Sequence, residues 1–216
     1  MRAIFFMMII CAGLVLQSNA QSSGKRIKLF DGKTFKGWEG DTVNTWHIRD
    51  GVIVGGSLNA MVPHNEFIKT NGSYTNYILK LKFKLTGTEG FVNGGVQFHS
   101  QRIANPDFEM EGYQADIGDG FWASLYDESR RNKLLVTADT NLVKKVLRRN
   151  QWNDYEVRTQ GKHIQVFLNG KKTVDYMEQD PAIPQEGHIA FQVHGGGKTE
   201  VFYKDIILEQ LPAAQN

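Results

Sequence analysis

Short segments of alternating apolar and polar residues constrain this chain more than any other feature. In residues 77–85, Tyr, Leu, Leu, Phe and Leu fall on one face, and Ile and three lysines fall on the other. The same period returns in residues 95–100, 112–117 and 190–195. A period of two is typical of β-strands with one buried face. No segment keeps a helical period, so the sequence predicts an all-β fold.

Turn signals separate these segments. Asp50-Gly51 and Asn169-Gly170 each stand between two alternating runs, which predicts two-residue hairpins of type I′. We expect about a dozen short strands, and a single open sheet of that size would expose a whole apolar face. The sequence therefore predicts one domain, built as a two-sheet jelly-roll sandwich. The residues predicted to fill its core are Trp46, Ile48, Leu79, Leu81, Phe83, Val96, Phe98, Ile117, Val166, Leu168, Ile189, Phe191 and Val193.

The N-terminus has the pattern of a signal peptide. Arg2 precedes an apolar run that ends at Leu16, and small residues lead to a predicted cleavage after Ala20. We expect a signal peptide over 1–20, a tail over 21–27, the domain over 28–211 and a C-terminal tail over 212–216. A lipoprotein would use Cys11, the only cysteine, but the apolar sequence continues beyond it. The predicted location is the periplasm or the exterior, with no membrane attachment after cleavage.

The charge is nearly balanced, with 25 basic and 23 acidic residues. The sequence contains no basic tract that would indicate nucleic-acid binding. It also contains no basic amphipathic helix that would indicate binding to a membrane surface. The densest basic feature is the segment Lys144 to Arg149, which we interpret as a solvated strand edge.

Three strands far apart in sequence each place two polar residues on one face. The pairs are Gln97 with His99, Gln114 with Asp116, and Gln192 with His194. Side by side, they would form a hydrogen-bonding floor suited to a hydroxyl-rich ligand such as a sugar. Two alternatives stay open. The histidines could be surface residues or partners of other groups, and Asp116 could have no role beyond orienting a turn through its side chain.

A loop rich in functional groups follows the second of these strands. Tyr126, Glu128, Arg130 and Arg131 could close over a ligand, although Glu128 and Arg130 could simply pair with each other. Trp122 is either a platform for the C–H face of a sugar or a core residue.

Metal binding has weak support in the sequence. The spacing of Asp116, Asp119 and Gly120 superficially fits a calcium loop, but glycines occupy two positions that should supply oxygens. A structural calcium bound by Asp119 or Asp127 stays open. No zinc motif or phosphate-binding loop is present, so no cofactor is predicted.

Several stretches together resemble a known family. They are L-F-D-G-K-T-F-K-G-W at 29–38, W-H-I-R-D-G-V-I at 46–53, G-G-V-Q-F-H-S at 94–100, G-Y-Q-A-D-I-G at 112–118, W-N-D-Y-E-V at 152–157, L-N-G at 168–170 and G-H-I-A-F-Q-V-H-G-G at 187–196. In order and spacing, the chain resembles the 3-keto-disaccharide hydrolase family from about Lys28 to Leu211. The resemblance implies a concanavalin A-like sandwich, secreted or periplasmic, that acts on glycosides oxidised at C3.

Such a substrate suggests an eliminative reaction. The C3 ketone acidifies the hydrogen on C2, so a base can remove it, the C1 substituent can leave, and water can then add. The protein must supply a base, an acid, and donors or a cation facing the enolate oxygen. We assign His194 first as the base or acid, and Asp116 and Glu128 as the next candidates for these roles. Arg131 is assigned as the cation. The residues assigned to substrate binding are Gln97, His99, Gln114, Trp122, Tyr126, Arg130 and Gln192.

Two other interpretations of the chain stay open. The same sandwich could be a non-catalytic carbohydrate-binding module, since a fold does not specify a function. It could also be a subunit of an envelope complex whose site has decayed. The density of ionisable groups favours the enzyme.

Overall fold

The computed structural model describes residues 24–213, so the predicted signal peptide lies outside the described residues. These described residues form fifteen strands and one short helix, α1 (Thr140–Val146). The strands are β1 (Arg26–Lys28), β2 (Trp38–Glu39), β3 (Trp46–Arg49), β4 (Val52–Ser57), β5 (Glu66–Thr70), β6 (Tyr77–Gly90), β7 (Asn93–Arg102), β8 (Met110–Gly118), β9 (Leu125–Glu128), β10 (Lys133–Val136), β11 (Asn153–Gln160), β12 (His163–Leu168), β13 (Lys171–Met177), β14 (His188–Val193) and β15 (Gly197–Gln210).

The strands form two antiparallel sheets. The first sheet has the order β13-β12-β11-β6-β15-β4-β3, with β1 also paired to β15. The second sheet has the order β10-β9-β8-β7-β14-β5-β2. Strands distant in sequence are neighbours, as β14 lies between β7 and β5. The predicted all-β jelly-roll sandwich of the concanavalin A-like type is confirmed.

The two predicted hairpins have the backbone that their sequences require. Asp50 and Gly51 have φ values of 52° and 76°, and Asn169 and Gly170 have 48° and 77°. Positive φ at both central residues defines the type I′ turn, which matches the twist of the paired strands.

The core lies between the sheets and consists of the apolar phase of their strands. Every predicted core residue is buried except Ile48, which is partly buried against the same cluster. Tyr203 of the first sheet stacks on Phe191 of the second, with ring centroids 4.0 Å apart. Its hydroxyl donates to the Gly95 carbonyl at 2.9 Å, so a polar bond also joins the sheets.

Two segments differ from the sequence prediction. Strand β1 begins at Arg26, inside the predicted tail, and pairs with the end of β15. Lys144, Lys145 and Val146 belong to α1, so the predicted strand edge is wrong. The Asp139 side chain accepts hydrogen bonds from the Asn141 and Leu142 amides and so caps this helix. Helix α1 has only seven residues, which is too short for a helical period to show in the sequence. Over residues 24–213, no helix is long and apolar enough to cross a membrane.

Candidate functional site

The second sheet has one face against the core and one polar face. We define the polar face by Gln97, Gln114, Asp116 and Gln192, which come from the adjacent strands β8, β7 and β14. Gln97 lies opposite Gln114 in the register of β7 and β8. Gly95 lies opposite both Asp116 and Gln192. The alternation seen in the sequence thus places these four side chains side by side.

The Gln114 amide holds the polar face together. Its Nε2 donates to Asp116 Oδ1 at 2.9 Å and to Gln192 Oε1 at 3.1 Å, and it lies 3.4 Å from Glu128 Oε2. One amide nitrogen therefore joins two carboxyl groups and a second amide. Among the described residues, several buried atoms beside it have no hydrogen-bond partner; these are Gln97 Nε2 and Oε1, Gln114 Oε1, Asp116 Oδ2 and Gln192 Nε2.

Gly95 provides the space for this bridge. A Cβ atom added to Gly95 would lie 2.4 Å from Cδ and 2.6 Å from Cγ of Gln114. The Gln114 side chain therefore passes directly over the Gly95 backbone on its way to Gln192. A side chain at position 95 would force the Gln114 amide to move.

The two carboxyl groups titrate far above their usual range. Burial raises the pKa of Asp116 to about 8, and the charge of Glu128 adds to this effect against the hydrogen bond from Gln114. Burial also raises the pKa of Glu128 to about 7, with a further contribution from the charge of Glu109. At neutral pH Asp116 is mostly protonated and Glu128 can exchange a proton. A perturbed pair facing a pocket is typical of a functional site.

The Asp116 side chain does not orient a turn. The Asp116 amide donates to the Ser124 carbonyl at 3.1 Å, and its carbonyl accepts from the Ala123 amide at 2.9 Å. The backbone therefore holds the turn, and the carboxyl group is free to face the pocket.

The polar face opens into a pocket of about 200 Å³. Its lining residues are Phe91, Asn93, Gln114, Asp116, Phe121, Tyr126, Glu128 and His194. His194 Nδ1 lies 2.7 Å from the Gly195 carbonyl oxygen. Because a carbonyl can only accept, Nδ1 carries the proton in the neutral ring, and Nε2 is left as a base. The structure thus brings His194 together with both carboxyl groups.

Close contacts with other segments of the chain explain two glycines in the run after His194. A Cβ at Gly195 would lie 2.6 Å from Cα of His64, and one at Gly197 would lie 2.4 Å from the Phe91 carbonyl oxygen. These glycines admit neighbouring segments of the chain rather than a ligand. They set the backbone around His194.

His99 is not part of the polar face, so its predicted position is wrong. The register of β7 with β8 shifts between Phe98 and Gln101, and His99 has a φ of 48°. This bulge breaks the alternation and turns the ring toward the first sheet. There Nε2 lies 2.8 Å from the Thr75 carbonyl and 3.3 Å from Thr159 Oγ1. Burial lowers the His99 pKa to about 4, which keeps the ring neutral.

Arg130 and Arg131 also face away from the pocket. Both bind Asp127, which is fully buried on the core side of β9, and Arg131 Nη2 lies 2.8 Å from Glu178 Oε2. The Arg130 guanidinium lies 4.6 Å from the centre of the Tyr113 ring. Arg131 does not line the pocket, so its predicted role as the cation facing an enolate is wrong. Arg130 pairs with Asp127 and not, as considered, with Glu128.

Trp122 lies outside the pocket. Its ring stacks on Phe83 with centroids 6.3 Å apart, and its Nε1 donates to Asp119 Oδ1 at 2.7 Å. It lines a separate pocket of about 290 Å³ beside α1. Packing against the core is the better interpretation of this side chain.

The proposed calcium ligands already have other partners. Asp119 binds Arg149, and Asp127 binds Arg130 and Arg131. Within residues 24–213, no cluster of three or more histidine, cysteine or acidic side chains could hold a metal ion. Asp119 and Asp127 thus each pair with arginine side chains.

Three lining residues were missed in the sequence. Asn93 begins β7, Phe91 lies in the turn between β6 and β7, and Phe121 lies in the turn after β8. Phe91 and Phe121 lie in turns, which have no strand phase, so periodicity could not place them. Asn93 is in phase with Gln97 on β7, so the alternation could have found it. For Phe91, the signal was an apolar ring beside a glycine, where solvent exposure is expected.

A family match accounts for nearly all of the described chain. A family model of the 3-keto-alpha-glucoside-1,2-lyase-like domain matches residues 25–209. The chain belongs to this family. The resemblance to 3-keto-disaccharide hydrolases is thereby confirmed. Among curated proteins, none matches the chain significantly.

Solved structures share the fold at low sequence identity. A Parabacteroides distasonis protein, provisionally classed as a glycosyl hydrolase, is 24% identical with a TM-score of 0.64, over 88% of this chain and 94% of its own. The carbohydrate-binding module CBM66 from Bacillus subtilis is 16% identical with a TM-score of 0.62, over 81% and 96%. A Bacillus licheniformis β-glucanase is 8% identical with a TM-score of 0.54, over 89% and 100%.

These likenesses define the fold, whereas the family match concerns function. Together they show a sandwich fold shared with carbohydrate-active proteins and membership of the 3-keto-alpha-glucoside-1,2-lyase-like family.

Proposed function

We propose that this protein is an enzyme that cleaves 3-keto glycosides by elimination of the C1 substituent and subsequent hydration. The observation that carries the proposal is the pair of high-pKa carboxyl groups, Asp116 and Glu128, joined by Gln114 and opening into the same pocket as His194. Burying two carboxyl groups without a cation costs stability, so a role in chemistry explains them better than a role in folding.

His194 is the base in this scheme. Its Nε2 has a lone pair available, because Nδ1 donates to the Gly195 carbonyl. Removal of the C2 proton leaves its electron pair as an enolate between C2 and C3. Histidine is the side chain that most often serves as a general base in enzymes.

Asp116 replaces the predicted arginine as the group facing the enolate oxygen. With a pKa of about 8, it is mostly protonated at neutral pH, and its Oδ2 has no hydrogen-bond partner among the described residues. A neutral carboxylic acid can donate a hydrogen bond to an oxygen that gains negative charge. This contact strengthens as the C3 carbonyl becomes an enolate.

Glu128 then serves the leaving group. When the enolate collapses, the C3 carbonyl reforms, a double bond forms between C1 and C2, and the bond from C1 to the aglycone oxygen breaks. Protonated Glu128 supplies the proton that this oxygen needs. As a carboxylate it then activates water, which adds to C1, while His194, after exchanging its proton with solvent, protonates C2. The net result is hydrolysis; release before hydration would give a lyase.

An ordinary glycosidase is less consistent with these groups. It needs one protonated carboxyl group and one that stays ionised as nucleophile or base. Burial raises the pKa of both Asp116 and Glu128, and Asp116, the more buried of the two, has the higher value. The eliminative scheme does not need an ionised Asp116.

The test uses a 3-keto glucoside and its unoxidised parent, with and without chelator, in H₂O and in D₂O. We expect aglycone release from the keto compound alone, no effect of chelator, and deuterium at C2 of the product. His194→Ala should lower turnover roughly 10² to 10⁴-fold, while its melting temperature stays near wild type. His188→Ala is the control, because His188 lies at the start of β14, outside the pocket lining.

Other outcomes would point elsewhere. Hydrolysis of both compounds without deuterium at C2 would indicate an ordinary glycosidase. Binding of both without release would indicate a carbohydrate-binding module. Unaltered turnover in folded His194→Ala would remove His194 from the mechanism.

We also propose that the protein acts in the periplasm or outside the cell. This rests on the predicted signal peptide over residues 1–20. An intact mass that corresponds to a chain beginning at Gln21 would support it, and an uncleaved cytoplasmic product would contradict it.

A further inference from the structure

One wall of the pocket is aromatic. Phe91 and Phe121, which we name the aromatic wall, line the pocket together with Asp116 and Glu128. Their rings meet edge to face, with centroids 6.3 Å apart. Phe91 is 42% exposed, one of few large apolar side chains in residues 24–213 with so much surface in water. It does not belong to the core, so packing does not explain it.

The position of Phe91 is fixed by its backbone. Its amide donates to the Gly196 carbonyl at 2.9 Å. A Cβ at Gly90 would lie 2.2 Å from the same carbonyl oxygen, so the two turns touch closely. The Phe91 ring also packs edge to face on His194, with centroids 4.6 Å apart. The ring is therefore held at the pocket before any ligand binds, which lowers the entropic cost of binding.

The two sides of the pocket suit different parts of a substrate. The polar face offers amides and carboxyl groups, which match hydroxyls and a ketone. The aromatic wall offers apolar surface, which matches the C–H face of a pyranose or the face of an aryl ring. The reacting carbons C1 to C3 must lie within reach of Asp116, Glu128 and His194. The group beyond the glycosidic oxygen is then the part left to meet the aromatic wall.

We propose that Phe91 and Phe121 form a subsite for the leaving group, and that this subsite selects a ring with a flat apolar face. The inference rests on the proposed function and adds a substrate class to it. A pyranose and an aryl ring share this chemistry, and a small alkyl group lacks it.

The test compares three 3-keto glucosides that differ only in the aglycone: methyl, phenyl and glucosyl. Phe91→Ala should lower kcat/KM roughly 3- to 10-fold for the ring aglycones and by less than about 2-fold for methyl, since an aromatic contact is worth about 0.5–1.5 kcal/mol. Phe91→Leu keeps apolar bulk without the flat face and should give an intermediate loss. Met177→Ala is the control, because Met177 is also half exposed but lies on β13 of the first sheet.

The three aglycones separate the outcomes. A loss for phenyl alone identifies an aryl leaving group, a loss for glucosyl alone a sugar, and a loss for both a general ring subsite. An equal loss for methyl, phenyl and glucosyl would overturn the proposal. So would a Phe91→Ala protein with unchanged kinetics on all three.

A binding experiment keeps this proposal separate from the reaction. The unoxidised parents of the three compounds cannot eliminate, so calorimetry measures their affinity alone. Suppose that no keto compound reacts, but that wild type binds the parents with ring aglycones more tightly than the methyl parent and Phe91→Ala does not. The proposed reaction is then wrong, and the proposed subsite is supported. If the reaction proceeds but neither turnover nor affinity depends on the aglycone, the subsite fails.

Discussion

Strand β9 carries two adjacent acidic residues with opposite surroundings. Asp127 faces the core side, where it is fully buried and bound by Arg130 and Arg131. Glu128 faces the pocket, where its hydrogen-bond partner is the neutral amide of Gln114. One residue along a strand changes the face of the sheet, so neighbours in sequence serve different purposes.

The partners decide what each acidic cluster can do. Asp127, Glu178, Arg130 and Arg131 form a group of ion pairs that we call the arginine cluster. Burial alone would raise the pKa of Glu178, but hydrogen bonds from Arg131 and Tyr113 outweigh this effect and lower the pKa to about 2. Among the described residues, no arginine or lysine pairs with Glu128, and burial raises its pKa to about 7. A carboxylate neutralised by arginine is a fixed structural charge. A carboxyl group beside neutral amides can exchange a proton near neutral pH.

The largest expected effect concerns Asp116. Its folded pKa of about 8 lies above its ordinary value of 3.8, so the native protein keeps a proton that the unfolded chain releases between these values. This contribution to stability is complete below about pH 4 and is lost as pH rises through about 8. The total loss is on the order of 5 kcal/mol. Asp116→Asn should be as stable as wild type at acidic pH and should lack this decline.

Urea unfolding between acidic and mildly alkaline pH measures this difference. Glu128→Gln should remove only the part of the decline between the ordinary Glu value of 4.5 and about 7. A wild-type protein whose stability is flat over this range would show that Asp116 is ionised in the native state, and would remove it as the donor to the enolate.

The next effect tests the arginine cluster. Arg131→Met leaves Glu178 buried without its main cation, which should cost about 3 kcal/mol in the free energy of unfolding. Arg149→Met is the matched control, since its partner Asp119 is largely exposed and the loss should be under about 1 kcal/mol. Turnover per folded molecule should change little in either variant. A stable Arg131→Met protein that has lost turnover would return Arg131 to the active site.

Periodicity predicted the sandwich and most of the polar face because both depend on strand phase. The core positions and the type I′ turns follow from the same local rules. The alternation failed at His99, where a bulge changes the phase without a sequence signal. It also gave no information on Arg130 and Arg131, whose partner Asp127 is decided by the face of a short strand. Phe91 lies in a turn, where only tertiary contacts define the surroundings.

The smallest effect concerns Gln114, whose amide bridges the pocket carboxyl groups Asp116 and Glu128. The carboxylates of the arginine cluster are held by cations instead. In Gly95→Ala, the new Cβ would displace the Gln114 side chain, whose Cδ lies 2.4 Å from it. Gly95 does not have a positive φ, so alanine fits the backbone and the fold should persist. We expect kcat/KM to fall about 10-fold, or about 1.4 kcal/mol.

A double-mutant cycle shows whether Gly95 acts through Gln114. Gln114→Ala removes the atoms that the new Cβ would meet, so adding Gly95→Ala to it should change kcat/KM by less than about 2-fold. The hydrogen bond from Gln114 lowers the Asp116 pKa, so losing it should move the alkaline limb of the pH profile upward in both single variants. Additive losses with an unshifted profile would mean that Gly95 serves only the packing of β7. Strong non-additivity with the shift would make it a positioning residue, because its missing side chain keeps one amide between two acids.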